Sequence, residues 1–369
     1  MRRWLVLGVV LLVVIGVGWS PPGRTSLKTA LFVTQILPQL PVQPQKWFAP
    51  EPRVREVRFP TPRGEAIADL YEPSRSGRRG AVVLFLGVNP AGRDDPRVVN
   101  LGKALARAGI VTLIPWSEPM TQNRIDPAEV EMLVGAYQYL VGLPGVDARR
   151  VGMGGFCVGA SFALMAAADP RIRDQVAFVN ALSVYFDARD LVVQIASRTR
   201  FWNGLQEPWE PDPLTREVFE GHLVASLPPE EGELVQRALA GDATARESLS
   251  PEGRAVLGLL EGATLEEARV LLSHLPAEGQ EFLRRISPSQ YLDGLRAPVL
   301  IMQDREDALV PASEARRLAQ ALRGKVPVRY TEFTLFRHVD PARPVSPFVF
   351  VREVGKLFRH LYAIMSLAG

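Results

Sequence analysis

The chain holds a single cysteine, Cys157, and its neighbours make it a candidate for chemistry. Gly155-Phe-Cys157-Val-Gly159 has the spacing glycine–x–nucleophile–x–glycine, with sulfur where an oxygen is commoner. Arg150–Met153 before it reads as a strand, and Val158–Ala168 after it as a helix. A nucleophile on so sharp a turn needs small flanking residues, because a β-carbon at either glycine would crowd it. The helix amino end adds a positive dipole and free N–H groups, which favour negative charge on sulfur and on a carbonyl oxygen. A free thiol is only a few per cent ionised at neutral pH, so a nearby base is expected. The competing reading is a small buried cysteine filling a tight strand–helix turn.

The base must be one of four histidines. His222 and His274 fall in a helical block and His360 in the terminal helix. His338, in Thr334-Leu-Phe-Arg-His-Val-Asp340, stands on a loop that follows a strand. A carboxylate should follow an earlier strand, and Pro298-Val-Leu-Ile-Met-Gln-Asp304-Arg-Glu-Asp307 offers two, Asp304 at the strand end and Asp307 further on. Both also suit an ordinary polar turn. In the catalytic reading Cys157 attacks, His338 shuttles the proton, and the acid orients the imidazole. The loop Gly87-Val-Asn-Pro-Ala-Gly92 would supply one oxyanion donor, the Val88 N–H, beside the Val158 N–H at the helix start. The same loop reads equally well as a plain Gly/Asn/Pro turn.

The elements around these residues alternate. Val54–Phe59 and Ala66–Tyr71 read as strands about the turn at Pro62-Arg63-Gly64, and Ala81–Leu86 as a buried strand. Helices are expected over Pro96–Ala108 and Pro127–Val141, and strands over Ile110–Ile114 and Gln175–Leu182. Strand and helix in alternation argue a parallel sheet covered on both faces. After Asp187 the pattern changes, and helical signals alone run to Arg285. Helix starts recur at Leu227-Pro-Pro-Glu-Glu, Leu249-Ser-Pro-Glu and Leu275-Pro-Ala-Glu, with proline and glutamate where a helix amino end favours them. Strands resume at Pro298–Met302 and Val326–Phe333, and Phe348–Ile364 closes the chain as a helix. The helical block is therefore expected as an insertion within one α/β domain.

At the amino end, Arg2 and Arg3 precede an uncharged apolar run of 16 residues, Trp4–Trp19. As a helix it would span about 24 Å, a little short of the ~30 Å hydrocarbon core. It reads as a membrane anchor over residues 1–25, or as a signal segment if cleaved. The positive flank puts the amino end in the cytoplasm and the body on the far side, single pass, or secreted after cleavage. Leu27–Leu37 is a weaker apolar stretch suited to lying along a membrane surface, and a Pro-rich linker is expected over 26–53.

The whole chain has 369 residues and a formal net charge of +3, too mild to argue nucleic-acid binding. Between Glu207 and Phe282 stand 16 acids and 5 bases, a net of −11 that leaves +14 elsewhere and suggests charge-assisted docking of this segment. One cysteine excludes an intrachain disulfide and a multi-cysteine metal site, and no P-loop or dinucleotide turn appears in its proper context. Neither a metal nor a cofactor is expected.

These residues resemble the dienelactone hydrolase branch of the α/β-hydrolase superfamily. Gly155-Phe-Cys157-Val-Gly159 is similar to that branch's cysteine elbow, and Leu86-Gly-Val-Asn89 to its loop after the third strand. Asp307-Ala-Leu-Val-Pro311 matches the family's acid followed by Val-Pro, which favours Asp307 over Asp304. The order nucleophile, acid, histidine is also that of the superfamily. The resemblance implies an α/β-hydrolase core over 54–186 and 287–369, with the 187–286 block as an all-helical lid that compact members lack. Ala160 stands where the family often has a second glycine. The activity implied is hydrolysis of small-molecule carboxylic esters or lactones through an acyl-cysteine, and the amino-terminal run makes the expected hydrolase membrane-tethered, with the lipid bilayer as its partner. The elbow is also similar to that of polyhydroxyalkanoate synthases, which makes acyl transfer the chemical alternative. A catalytically silent binding protein with a redox-responsive thiol is the alternative from another class.

Overall fold

The computed structural model describes residues 20–40, 42–75, 77–341 and 343–369. The Trp4–Trp19 run, expected as an anchor, lies outside them. Among the described residues no helix is long and apolar enough to cross a membrane.

The chain opens with helices α1 (Pro21–Ile36) and α2 (Gln45–Phe48), then strands β1 (Arg53–Thr61), β2 (Gly64–Glu72) and β3 (Arg79–Phe85). Helix α3 (Pro96–Arg107), β4 (Val111–Pro115), α4 (Glu118–Thr121) and α5 (Glu129–Val141) lead to β5 (Val146–Phe156), α6 (Val158–Ala167) and β6 (Val179–Leu182). An insertion follows: α7 (Ala188–Ser197), strands β7 (Thr199–Trp202) and β8 (Leu205–Pro208), then α8 (Pro213–Ala225), α9 (Pro229–Leu239), α10 (Ala243–Ser248), α11 (Pro251–Glu261), α12 (Leu265–Ser273) and α13 (Ala277–Arg285). The chain returns through β9 (Val299–Asp304), α14 (Ala312–Ala321), β10 (Val328–Phe333) and α15 (Pro347–Ala368).

Eight strands form one sheet in the order β1-β2-β4-β3-β5-β6-β9-β10. β1 and β2 pair antiparallel, as do β2 and β4, and the other pairings are parallel. Both faces are buried, so the central strands are apolar along their length but divide by parity. On β9, Val299 and Ile301 join the cluster containing α5, α6 and α14, while Leu300 and Met302 join the one containing α1 and α15. Parallel strands end together, so the loops after β3, β5, β9 and β10 meet at one edge of the sheet.

Two expectations need correction. Leu27–Leu37 does not lie exposed as a surface stretch: Phe32, Val33 and Leu37 are at most 3% exposed and pack with Leu357 and Leu361 of α15. Most of that stretch, and part of the expected 26–53 linker, is helix α1, begun by Ser20 accepting the Gly23 N–H. An amphipathic face needs an apolar partner, and the terminal helix supplies one. The insertion is also not wholly helical. β7 and β8 form a hairpin around Asn203 and Gly204, both at positive φ (50° and 80°), as the two-residue turn requires.

The insertion is fastened at its base. Glu314 of α14, fully buried, accepts the Phe186 and Asp187 N–H groups at 3.0 Å and the Gln194 amide at 2.7 Å. Ser287 accepts the Ala188 N–H at 2.9 Å, and Tyr185 donates to the Ile286 carbonyl at 2.7 Å. The expected charge complementarity is not expressed, among the described residues, as ion pairs between the acids of 207–282 and the body. The ion pairs that these acids make stay within the insertion, as Asp242 with Arg237 and Glu281 with Arg284. Ion pairs to the body use Arg200 with Glu306 and Asp190 with Arg317 instead.

Candidate active site

Cys157 is the single residue between β5 and α6, at φ 54° and ψ −129°. Few side-chain-bearing residues tolerate that backbone, and the flanking contacts show why it is held. A β-carbon on Gly159 would lie 2.3 Å from the Phe85 carbonyl oxygen and 2.6 Å from the Gly87 nitrogen. One on Gly155 would lie 2.4 Å from the Gly159 carbonyl. The crossing is closed to anything larger than glycine. The Cys157 N–H donates to the Leu182 carbonyl at 2.9 Å, which ties the turn to β6 and leaves the half-buried thiol at the sheet edge.

The structure separates the two carboxylates that the sequence offers. Asp304 turns to Arg343 at 2.8 Å and accepts the Glu306 N–H at 3.2 Å; burial raises it to about 6 despite these partners. Asp307, with no exposed surface, accepts the Leu309 N–H at 2.8 Å and the Val310 N–H at 3.1 Å on Oδ1. Its two oxygens lie 3.0 and 2.9 Å from His338 Nδ1. Burial pushes Asp307 up, but His338, the Val310 N–H and the Ser183 hydroxyl outweigh it and hold the carboxyl below its ordinary value.

His338 sits after β10 at φ 57°, in a short loop closed by the Arg337 N–H on the Asp340 carbonyl at 2.7 Å. Burial alone would lower the imidazole. The Asp307 charge, then the charge and hydrogen bond of Cys157, reverse this and raise it to about 10. Cys157, His338 and Asp307 therefore converge from three loops at one end of the sheet.

Val88 and Val158 both line the cavity beside Cys157. Val158 opens α6, so its N–H has no acceptor within the helix. Among the described residues no acceptor meets the Val88 N–H, while the next residue, Asn89, is anchored by its N–H on the Met120 carbonyl at 3.2 Å.

Three further residues belong to the site and carried no sequence signal for it. Ser183, fully buried at φ 56°, reaches the Asp307 carboxylate and lies 3.4 Å from the His338 carbonyl oxygen. Gln303 donates to Asp307 Oδ2 at 3.3 Å. His222 lines the cavity from α8, stacked on Phe282 at 4.8 Å, with Nε2 accepting the Ile125 N–H at 2.9 Å. Burial lowers it to about 4, so it is neutral at pH 7. The cavity lined by Cys157, His338 and His222 has a volume of about 810 Å³.

No protein-family model matches the chain. A curated relative, "Probable 2-oxo-3-(5-oxofuran-2-ylidene)propanoate lactonase" of a Bradyrhizobium species, is 30% identical over 167 residues, 39% of this chain. The chain spans 65% of that relative's length. An esterase of Pyrobaculum calidifontis superimposes with TM-score 0.52 at 15% identity, over 98% of each chain. A puromycin-hydrolysing peptidase of Mycobacterium tuberculosis gives TM-score 0.53 at 17% identity, covering 89% of this chain but 40% of its own. The strand order, the strained turn after β5 and these likenesses define an α/β-hydrolase fold.

Proposed function

We propose that the protein hydrolyses carboxylic esters or lactones through an acyl-cysteine intermediate, in the manner of the dienelactone hydrolase branch. The observation that carries this is Cys157 on a left-handed turn, within reach of a histidine paired with a buried carboxylate. The sulfur, its proton passed to His338, attacks the carbonyl carbon, and the oxygen draws charge that the Val88 and Val158 N–H groups receive. As the C–O bond breaks, His338 gives its proton to the leaving alkoxide. Water then attacks the thioester and passes a proton to His338; the C–S bond breaks, releasing the carboxylic acid and restoring the thiol. Asp307 keeps the imidazole oriented and stabilises its cationic form. In a lactone the alcohol and acid remain one molecule.

The insertion acts as a lid whose apolar wall excludes water. The Trp4–Trp19 run tethers the body to the outer side of a membrane. The lactonase relative and the esterase likeness support the ester-bond chemistry without fixing the substrate. The deciding experiment is turnover of p-nitrophenyl acetate with intact-mass analysis. Wild type is expected to turn over and to carry a transient acyl mass on Cys157. Cys157→Ala should lose about 10³-fold or more in kcat/KM with an unaltered fold. Equal turnover by both proteins ends the proposal.

A further inference from the structure

The cavity at Cys157 extends in two directions. One arm lies under the insertion, walled by Leu191 of α7, Val218 and Phe219 of α8, and Phe282 of α13. The other runs along the opposite face of the sheet, between its strands and helices α1, α3 and α15. Phe32, Val82, Leu101, Leu105, Leu361 and Met365 wall it. The arms belong to different sides of the molecule: Phe219 packs in the cluster of α5 and α6, Val82 and Phe32 in the cluster of α15. Gly154 of β5 helps open the second arm. A β-carbon there would stand at ordinary contact distance, 3.5 Å from Leu84 and 3.8 Å from Val82, so the missing side chain leaves space instead of relieving a clash. Cys157 packs against the first cluster and its neighbour Phe156 against the second, and both line the cavity.

An ester also has two arms, joined at the carbonyl carbon that a nucleophile attacks. We propose that the substrate carries an extended, unbranched hydrocarbon acyl chain, lodged in the arm between the sheet and α1, α3 and α15, with its alcohol part under the insertion. This rests on the ester-hydrolase reading above and specifies its substrate class. The acyl part stays on sulfur through both steps, so it belongs in the arm walled by sheet and helices. The alcohol part must depart first, and belongs under the insertion. Apolar walls reward each methylene they cover, by up to about fourfold in binding. Charged residues of the cavity, Asp95, Arg97 and Asp340, belong to the loops at the sheet edge and α3's first turn, and the amides Gln35 and Asn100 that also line it are bonded to each other at 2.7 Å.

The test uses the full chain and p-nitrophenyl esters from acetate to dodecanoate. The kcat/KM for decanoate should exceed that for acetate by at least about tenfold. Leu101→Trp, which fills the arm from α3, should cut the decanoate-to-acetate ratio by about tenfold or more, chiefly through KM. Val218→Trp, in the other arm, should shift preference among alcohol parts in a series of acetate esters. Acetate turnover with a flat or falling acyl-length profile overturns the assignment of the arm and leaves the hydrolase reading standing. An unchanged ratio in a folded Leu101→Trp does the same, and if that variant fails to fold the wild-type profile decides alone. Absence of acetate turnover and of any acyl mass on Cys157 overturns both.

Discussion

Cys157, Ser183 and His338 all hold left-handed backbone angles, φ 54°, 56° and 57°, and all three meet at Asp307 or at each other. Such angles cost free energy and persist where packing overdetermines them, so their convergence marks a built site. The electrostatics have a measurable sign. His338 rises from 6.5 to about 10 in the fold, which means the folded state favours the protonated ring. Its contribution to stability is complete below about 6.5 and is lost as pH rises through about 10. Denaturation at intervals from pH 6 to 10 should show wild type losing stability over that range. Asp307→Asn, lacking the carboxylate that drives the shift, should lose most of this slope. An identical slope in both proteins would contradict the pairing. The sequence made the trio legible through order and loop position, and the Val-Pro after Asp307 separated it from Asp304. Ser183 and Gln303 were not legible, since each acts on Asp307 through contacts that no local motif encodes.

Among the elements, those with strong local signals matched expectation: the buried runs of β3 and β9, and helices with proline in the first turn such as α3 and α11. Elements defined by what they pack against did not. The apolar face of α1 fits a lipid surface and a neighbouring helix equally well, and only the fold decides between them. The β7–β8 hairpin has four residues per strand and no apolar alternation, so its Asn-Gly turn was its one signal. The junction of the insertion turns on Glu314. Glu314→Leu would strand the Phe186 and Asp187 N–H groups and leave Arg317 without its buried partner. A loss of about 3–5 kcal/mol is expected in urea denaturation. Glu314→Gln, which keeps an acceptor, should lose less. Equal stability of Glu314→Leu and wild type would show that apolar packing alone holds the insertion.

For the whole molecule, the body is an α/β-hydrolase fold with an additional helix, α1, on the face that carries the terminal helix. The apolar run of the expected anchor stops at Trp19, and residues 21–25, expected to belong to the anchor, are the first turn of α1, capped by Ser20. If residues 1–19 tether the protein, the full chain should sediment with membranes and resist extraction by salt. A variant lacking them should be released with its ester turnover intact. Recovery of the full chain in the soluble fraction, uncleaved by mass, would remove the tether. The ion pairs made by acids of the −11 segment 207–282 are local and exposed, and such pairs contribute little each.

A protein with one sulfhydryl, half-buried on the wall of its own cavity, is its own gauge of occupancy. Each equivalent of maleimide consumed counts one site, without correction for bystander thiols. Any compound that fills either arm should slow that alkylation in proportion to the fraction bound. Affinities thus become readable for molecules the protein never transforms, and a library can be ranked before any product is known.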